Sequence, residues 1–266
     1  MTLLLSWIGK DSRKISSIYI ASDSRISWDN HKRWDYAQKV FAFQNTPDII
    51  GYCGDVVYPT IKINQILDKE KNNLLFPSCC NSSERSEVIY RELKNKFNDY
   101  PPDALGKSIE ILHISRDNKT DFLCNVFRWC KNEGWSKNNI SIPEHSDKVI
   151  VLGSGKEEFY KRYLEYLAGN SGKTSRALFQ CLCHTLLKIK DIYCGGAPQL
   201  VGLYNNNNGK DLGIVYQDKR YYHGNELEDL DEVNNIKWRN ELFECCDGFS
   251  KKILDSAQRQ PNELRP

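Results

Sequence analysis

Leu3, Leu5 and Trp7 fall on alternate positions at the start of the chain, and that period of two predicts a strand over residues 2–8. The run Ile18-Tyr19-Ile20-Ala21 is apolar on both parities, which predicts a strand over 17–26 buried on both faces, with residues 9–13 as the intervening turn. Shorter strands are predicted over 39–43 and 49–53. After Gly54-Asp55 the spacing of Val57, Ile61, Ile63, Ile66 and Leu67 becomes helical, and Ile89, Leu93 and Phe97 repeat that period in a second helix. Pro101-Pro102 ends this pair, and strands over 108–115 and 122–129 follow, joined by a polar turn at Asp117-Asn118.

A strand over 148–152 runs into Gly153-Ser154-Gly155, followed by helices over about 157–167 and 174–190 and a strand over 199–204. The polar loop 205–210 leads to strands over 213–217 and 219–223. Strands, two helices, strands, two helices and strands can stack as two central sheets with a helix pair outside each, since every sheet then buries both faces. The expected division is one domain over 1–225 and an extension over 226–266, with a helix around 238–257 and a polar end over 258–266.

Charge adds little to this picture. Thirty-seven Lys and Arg against 35 Asp and Glu leave a formal charge of +2, so no global field recruits nucleic acid or an anionic membrane. The apolar stretch at Leu3, Leu4 and Leu5 is too short for a signal-peptide core or a membrane span, and a soluble cytoplasmic protein is the expectation. Ten cysteines in a reducing compartment are expected to be free thiols.

Five segments in order carry a family resemblance: Thr2 on the first strand; Ala21-Ser22-Asp23-Ser24-Arg25 followed by Lys39-Val40-Phe41; Gly51-Tyr52-Cys53-Gly54-Asp55; Gly153-Ser154-Gly155; and Asp191-Ile192-Tyr193-Cys194-Gly195-Gly196. Together they resemble the proteasome β-subunit and bacterial proteasome-like family of N-terminal-nucleophile hydrolases over roughly residues 2–204. The resemblance implies a mixed α/β (α+β) fold, a four-layer αββα sandwich with two central antiparallel sheets. It also implies peptide or unfolded-protein substrates, assembly of identical subunits into a ring or spiral, and an ATPase or other protein partner. No cofactor and no metal are expected.

By the same resemblance Thr2 is the nucleophile once Met1 is removed, and Asp23, Lys39, Gly54, Ser154 and Asp191 complete the catalytic set, with Arg25, Gly155 and Cys194 around them. The chemistry is coherent. A threonine hydroxyl needs a base, and an N-terminal threonine carries one in its own α-amine. Lys39 would favour the neutral form of that amine by its positive charge, Asp23 would orient the lysine, and the Gly54 amide would donate to the developing oxyanion, an interaction worth about 2.7–4 kcal/mol in acyl-transfer enzymes. Ser154 and Asp191 would direct the Thr2 amine.

Plainer readings stand beside these. Asp23 and Lys39 could form a simple ion pair, Gly54 a helix-start glycine, Ser154 a helix N-cap, and Asp191 a turn residue. The first hairpin is longer than the family's, and Cys194 stands where the family has serine, replacing a hydroxyl by a weaker thiol donor. A non-catalytic scaffold or partner-binding subunit, and an amidase acting on a small amide, remain as alternative functions. Gly169-Asn170-Ser171-Gly172-Lys173-Thr174 resembles a phosphate loop but has two residues between its glycines where four are needed. Cys181, Cys183 and His184 lack a second zinc-spaced pair and read as core residues.

Overall fold

A computed structural model describes residues 2–11, 14–28, 32–77, 80–169, 172, 174–228 and 235–259. Met1, whose removal the sequence reading requires, lies outside the described residues, as do Asn170, Ser171 and Lys173 of the glycine-rich loop. The chain opens with β1 (Leu4–Lys10) and β2 (Ile15–Ser22), a minimal hairpin of β3 (Ile26–Ser27) and β4 (Arg33–Trp34), and then β5 (Val40–Ala42) and β6 (Asp48–Gly54). Helices α1 (Val57–Lys71) and α2 (Ser82–Lys94) follow, then β7 (Ser108–Arg116), β8 (Phe122–Cys130), β9 (Gly134–Asn139) and β10 (Lys148–Leu152). Helices α3 (Lys156–Leu167) and α4 (Ser175–Lys188) precede β11 (Gln199–Tyr204), β12 (Lys210–Tyr216), β13 (Lys219–Tyr222), β14 (Asn225–Leu227), β15 (Lys237–Asn240) and β16 (Cys245–Cys246).

These strands form a nine-stranded sheet in the order β10-β1-β2-β11-β12-β13-β14, with β15 on β12 and β16 on β15, and a five-stranded sheet in the order β5-β6-β7-β8-β9. The parity of β2 explains how they stack. Ile18 and Ile20 join Leu4, Val40, Ile49, Leu112 and Ile114 in an apolar layer shared by both sheets. Tyr19 and Ala21 point the other way, into a cluster with Trp7 and with Phe159, Tyr163, Phe179 and Leu182 of α3 and α4. On the five-stranded sheet Ile50, Tyr52, Ile109 and Ile111 pack against Ile63 and Ile66 of α1 and Val88 and Ile89 of α2.

Several boundaries differ from the sequence reading. Strand β2 stops at Ser22: Asp23 N–H still donates to Leu3 O, but the Leu3 amide turns to the Asp23 carboxylate and the Ser24 N–H to Gly195 O. Helix α2 starts at Ser82 on a capping box between Asn81 and Glu84, and Phe97 falls in a separate 3-10 turn. The helix expected around 238–257 does not form: residues 237–240 run parallel to β12, and residues 245–246 return antiparallel to them. Trp238, buried with Val215 and Cys246, gains a packed neighbour and a ladder at once by extending the sheet, which an amphipathic helix on its own could not supply.

Helix α2 is pinned to its sheet by a buried charge network. Asp48 accepts Arg85 Nε at 2.7 Å through one oxygen and meets His113 Nε2 at 2.8 Å through the other, while Arg85 Nη2 reaches Ser115 Oγ at 2.7 Å. Burial alone would raise the Asp48 carboxyl, but the His113 hydrogen bond and the His113 and Arg85 charges hold it below its ordinary value.

Removing one member of such a network leaves the others buried and unbalanced, so Asp48→Asn is expected to lower stability by about 3–5 kcal/mol in a urea titration. The folded-state carboxyl lies below the unfolded value of about 3.9, so its contribution is present above that pH and is lost as pH falls through the folded value. Unfolding titrations from neutral pH downward are expected to show an acid limb below about pH 4 in the wild type that is reduced in the variant.

Candidate functional site

Thr2 and Lys39 start far apart in sequence, Thr2 beside β1 of one sheet and Lys39 beside β5 of the other, and the stacking of the two sheets brings them together. Lys39 immediately precedes β5, and its carbonyl accepts the Tyr52 amide, which ties this residue to β6. Its ammonium lies 2.9 Å from Thr2 Oγ1 and 2.9 Å from Asp23 Oδ1. Thr2 is 2% exposed and both Asp23 and Lys39 are 0% exposed, so the three groups meet out of water.

A carboxylate survives such burial only when its lone pairs are filled. Asp23 Oδ1 accepts Lys39 Nζ, the Leu3 amide at 3.1 Å and Ser22 Oγ at 3.5 Å. Its Oδ2 accepts the Gly195 amide at 3.0 Å and the Arg25 amide at 3.3 Å. Gln199, absent from the sequence reading, locks the same junction. Its Oε1 accepts the Lys39 amide at 2.8 Å, and its Nε2 donates to the carbonyls of Asp23 at 3.0 Å and Ala37 at 2.8 Å. The one sequence signal was a glutamine opening an otherwise apolar strand, Leu200 to Leu203, a position where polarity requires a buried partner.

The turn 153–155 closes over the main chain of Thr2. The Gly155 amide donates to Thr2 O at 3.3 Å, and Gly153 has φ +89° with so little space that a Cβ there would overlap the Thr2 carbonyl. Ser154 Oγ lies 3.5 Å from Cys194 Sγ, and that thiol donates to Asp191 Oδ2 at 3.4 Å. Burial, then the Asp23 charge, pushes the Cys194 thiol up, so it stays a neutral S–H able to donate. Ser154 does not cap α3, whose N-cap is Gly155 without a side-chain bond, whereas Asp191 does satisfy a turn through the Tyr193 amide at 3.0 Å. Arg25 forms a two-pronged pair with Asp35, at 2.7 and 2.8 Å, and donates to the carbonyls of Cys194 and Ile192. It braces the loop that delivers the Gly195 amide to Asp23.

Gly54 ends β6 at φ +97° and lines a cavity together with Cys53, Gly153 and Ser154. Other candidate signals fall elsewhere. Cys181 and Cys183 are in the α4 core, and His184 Nδ1 pairs with Tyr166 OH at 2.6 Å. No group of three metal-ligating side chains occurs among the described residues, and the nine described cysteines are free thiols.

Three solved structures share this fold. A Gly-1 mutant of Anbu from Hyphomicrobium sp. strain MC1 matches with a TM-score of 0.55 at 10% identity, over 84% of this chain and 88% of that one. The helical assembly of the Anbu complex from Pseudomonas aeruginosa matches with a TM-score of 0.54 at 12% identity, over 86% and 88%. Anbu from Yersinia bercovieri, described as an ancestral β-subunit, matches with a TM-score of 0.53 at 10% identity, over 78% and 86%. No family model matches the chain, and no curated protein matches it. The chain therefore has a proteasome-like fold, established by shape at an identity too low to transfer activity.

Gln199→Leu keeps the volume and removes every polar atom of the clamp. Each buried group left unpaired costs about 1–3 kcal/mol, so a loss of about 3 kcal/mol is expected in denaturant unfolding. Gln199→Glu replaces the donating amide and is expected to lose a comparable amount, because a carboxylate cannot satisfy the carbonyls of Asp23 and Ala37.

Proposed function

We propose that this chain is a threonine-type N-terminal-nucleophile peptidase in which Thr2, freed of Met1, attacks the carbonyl of a peptide bond. The observation that carries this reading is the Lys39 ammonium held 2.9 Å from both Thr2 Oγ1 and the buried Asp23 carboxylate. A lysine serving only as an ion-pair partner has no need to aim at a threonine hydroxyl.

The free α-amine of Thr2 takes the Oγ proton as the Oγ–C bond forms, and the ammonium of Lys39 favours the neutral amine and the developing oxygen charge. The Gly54 amide donates to the carbonyl oxygen as it becomes an oxyanion. When the tetrahedral adduct collapses, the C–N bond breaks, its electron pair stays on nitrogen, and the proton held by the α-amine passes to that leaving amine. Water then hydrolyses the Thr2 ester, with the same amine taking its proton. Asp23 is a positioning residue, and Ser154, Cys194 and Asp191 form a chain of donors and acceptors beside the main chain of Thr2.

In this reading residues 1–225 form the catalytic domain, layered αββα, and the remainder is an extension of its sheet. Assembly into a homo-oligomer is supported by the helical assembly formed by an Anbu of the same fold. Partnership with an ATPase and a cytoplasmic location belong to the same proposal. No described helix is long and apolar enough to cross a membrane. Hydrolysis of a small amide would use the same groups. A non-catalytic subunit is favoured by two observations, the near-complete burial of Thr2 and the thiol at position 194.

Intact-mass measurement of the purified native protein is expected to show loss of one methionine, and an epoxyketone or β-lactone probe to add to Thr2. Thr2→Ala is expected to abolish labelling and to lower peptidase activity by on the order of a thousandfold or more. Fully processed protein that no probe labels would support the non-catalytic subunit.

A further inference from the structure

Beside Thr2 lies a cavity of about 280 Å³, close to the lower end of the range for ligand pockets, about 300 Å³. Gly153 and Ser154, from the turn that closes over Thr2, line it together with Lys156. Cys53 and Gly54 also line it, with Glu110 of β7, Arg128 of β8 and residues 150–152 of β10.

The charges in this cavity are not equivalent. Glu110 is already engaged, accepting Arg128 Nε at 2.7 Å through one oxygen and the Cys53 thiol at 3.4 Å through the other. Lys156 is exposed at the first position of α3 and has no ion pair among the described residues. Its charge adds to the partial positive charge of the helix start. Among the described residues strand β10 is the terminal strand of its sheet and pairs with β1 alone, which leaves its outer edge to a further extended segment.

Chemistry assigns the cavity to one side of a substrate. The α-amine that accepts the Oγ proton must return it to the leaving nitrogen, so the leaving segment has to lie on the amine side of Thr2. The turn 153–155 packs on the Thr2 carbonyl, and its Ser154, which directs the Thr2 amine in the peptidase reading, lines this cavity. We propose that the cavity holds the leaving-group side of a peptide substrate, its backbone along the β10 edge, and that Lys156 selects an acidic side chain at the first position beyond the scissile bond. This inference rests on the peptidase reading above and narrows its substrate class.

The test uses processed full-length protein and two internally quenched peptides that differ only at that position, Asp in one and Lys in the other. Thr2 labelling by an epoxyketone, whose recognition uses only the acyl side, is measured in parallel. An exposed ion pair is worth about 0.2–1 kcal/mol, so kcat/KM is expected to favour the Asp peptide by about threefold. That preference is expected to shrink at about 1 M salt and to invert in Lys156→Glu, an exposed substitution tolerated by a helix first turn. Labelled enzyme that ranks the two peptides alike, that cleaves neither, or whose ranking is unchanged by Lys156→Glu would overturn this assignment and leave the nucleophile in place. Processed protein with an unlabelled Thr2 would remove both readings together.

Discussion

A single buried ammonium and carboxylate organise this molecule. Lys39 and Asp23 are both fully shielded from water, and desolvating two charges is unfavourable by several kcal/mol per ion unless geometry and further hydrogen bonds offset it. The fold supplies that compensation with four donors from three segments: the amides of Leu3, Arg25 and Gly195 and the hydroxyl of Ser22 all converge on Asp23. Loss of either partner would leave its counterpart charged and alone in the core. The pair is therefore an expensive arrangement for stability alone, and its second contact, to the hydroxyl of Thr2, gives it a chemical use.

Holding that contact requires rigidity in three directions. Strand pairing between β1 and β2 places Leu4 opposite Ser22, which brings Thr2 and Leu3 alongside Asp23. Gln199, opposite Ser22 on the next strand, spans from the Asp23 carbonyl to the Lys39 amide and fixes the gap between the two sheets at this point. The Arg25 and Asp35 pair holds the 192–195 loop in register, and the close approach of Gly195 to the guanidinium leaves no room for a side chain there. The low sequence identity to the Anbu structures is compatible with this, since a shared shape needs matching parity and turns more than matching side chains.

Much of this was readable from residue spacing. The double-sided apolarity of residues 18–21 implies a strand between two packed layers, whereas Asp23 and Lys39 stand out together through the family resemblance and not through periodicity. What escaped detection shares one property, dependence on a partner distant in sequence. Strand β9, with its Trp135, Ser136, Lys137 and Asn138, has no strong period and exists because β8 offers it an edge. Trp238, Phe243 and Cys246 could sit on a helix by spacing, but the open side of β12 captured them as strand and turn. Gln199 carried only the signal of a polar residue opening an apolar strand, and neither its main-chain partners at residues 23, 37 and 39 nor the Gly195 amide's bond to Asp23 leaves a local pattern. Cys194 was recognised as a departure, and its thiol still bridges Ser154 and Asp191.

The whole account turns on where one side chain points when the chain begins at threonine. A crystal structure of the processed protein tests this most directly. The account predicts Lys39 Nζ within hydrogen-bonding distance of Thr2 Oγ1, near the 2.9 Å seen here, with the same ammonium on Asp23. An ammonium turned toward solvent or toward another acceptor, with the Thr2 hydroxyl bonded elsewhere, would contradict it.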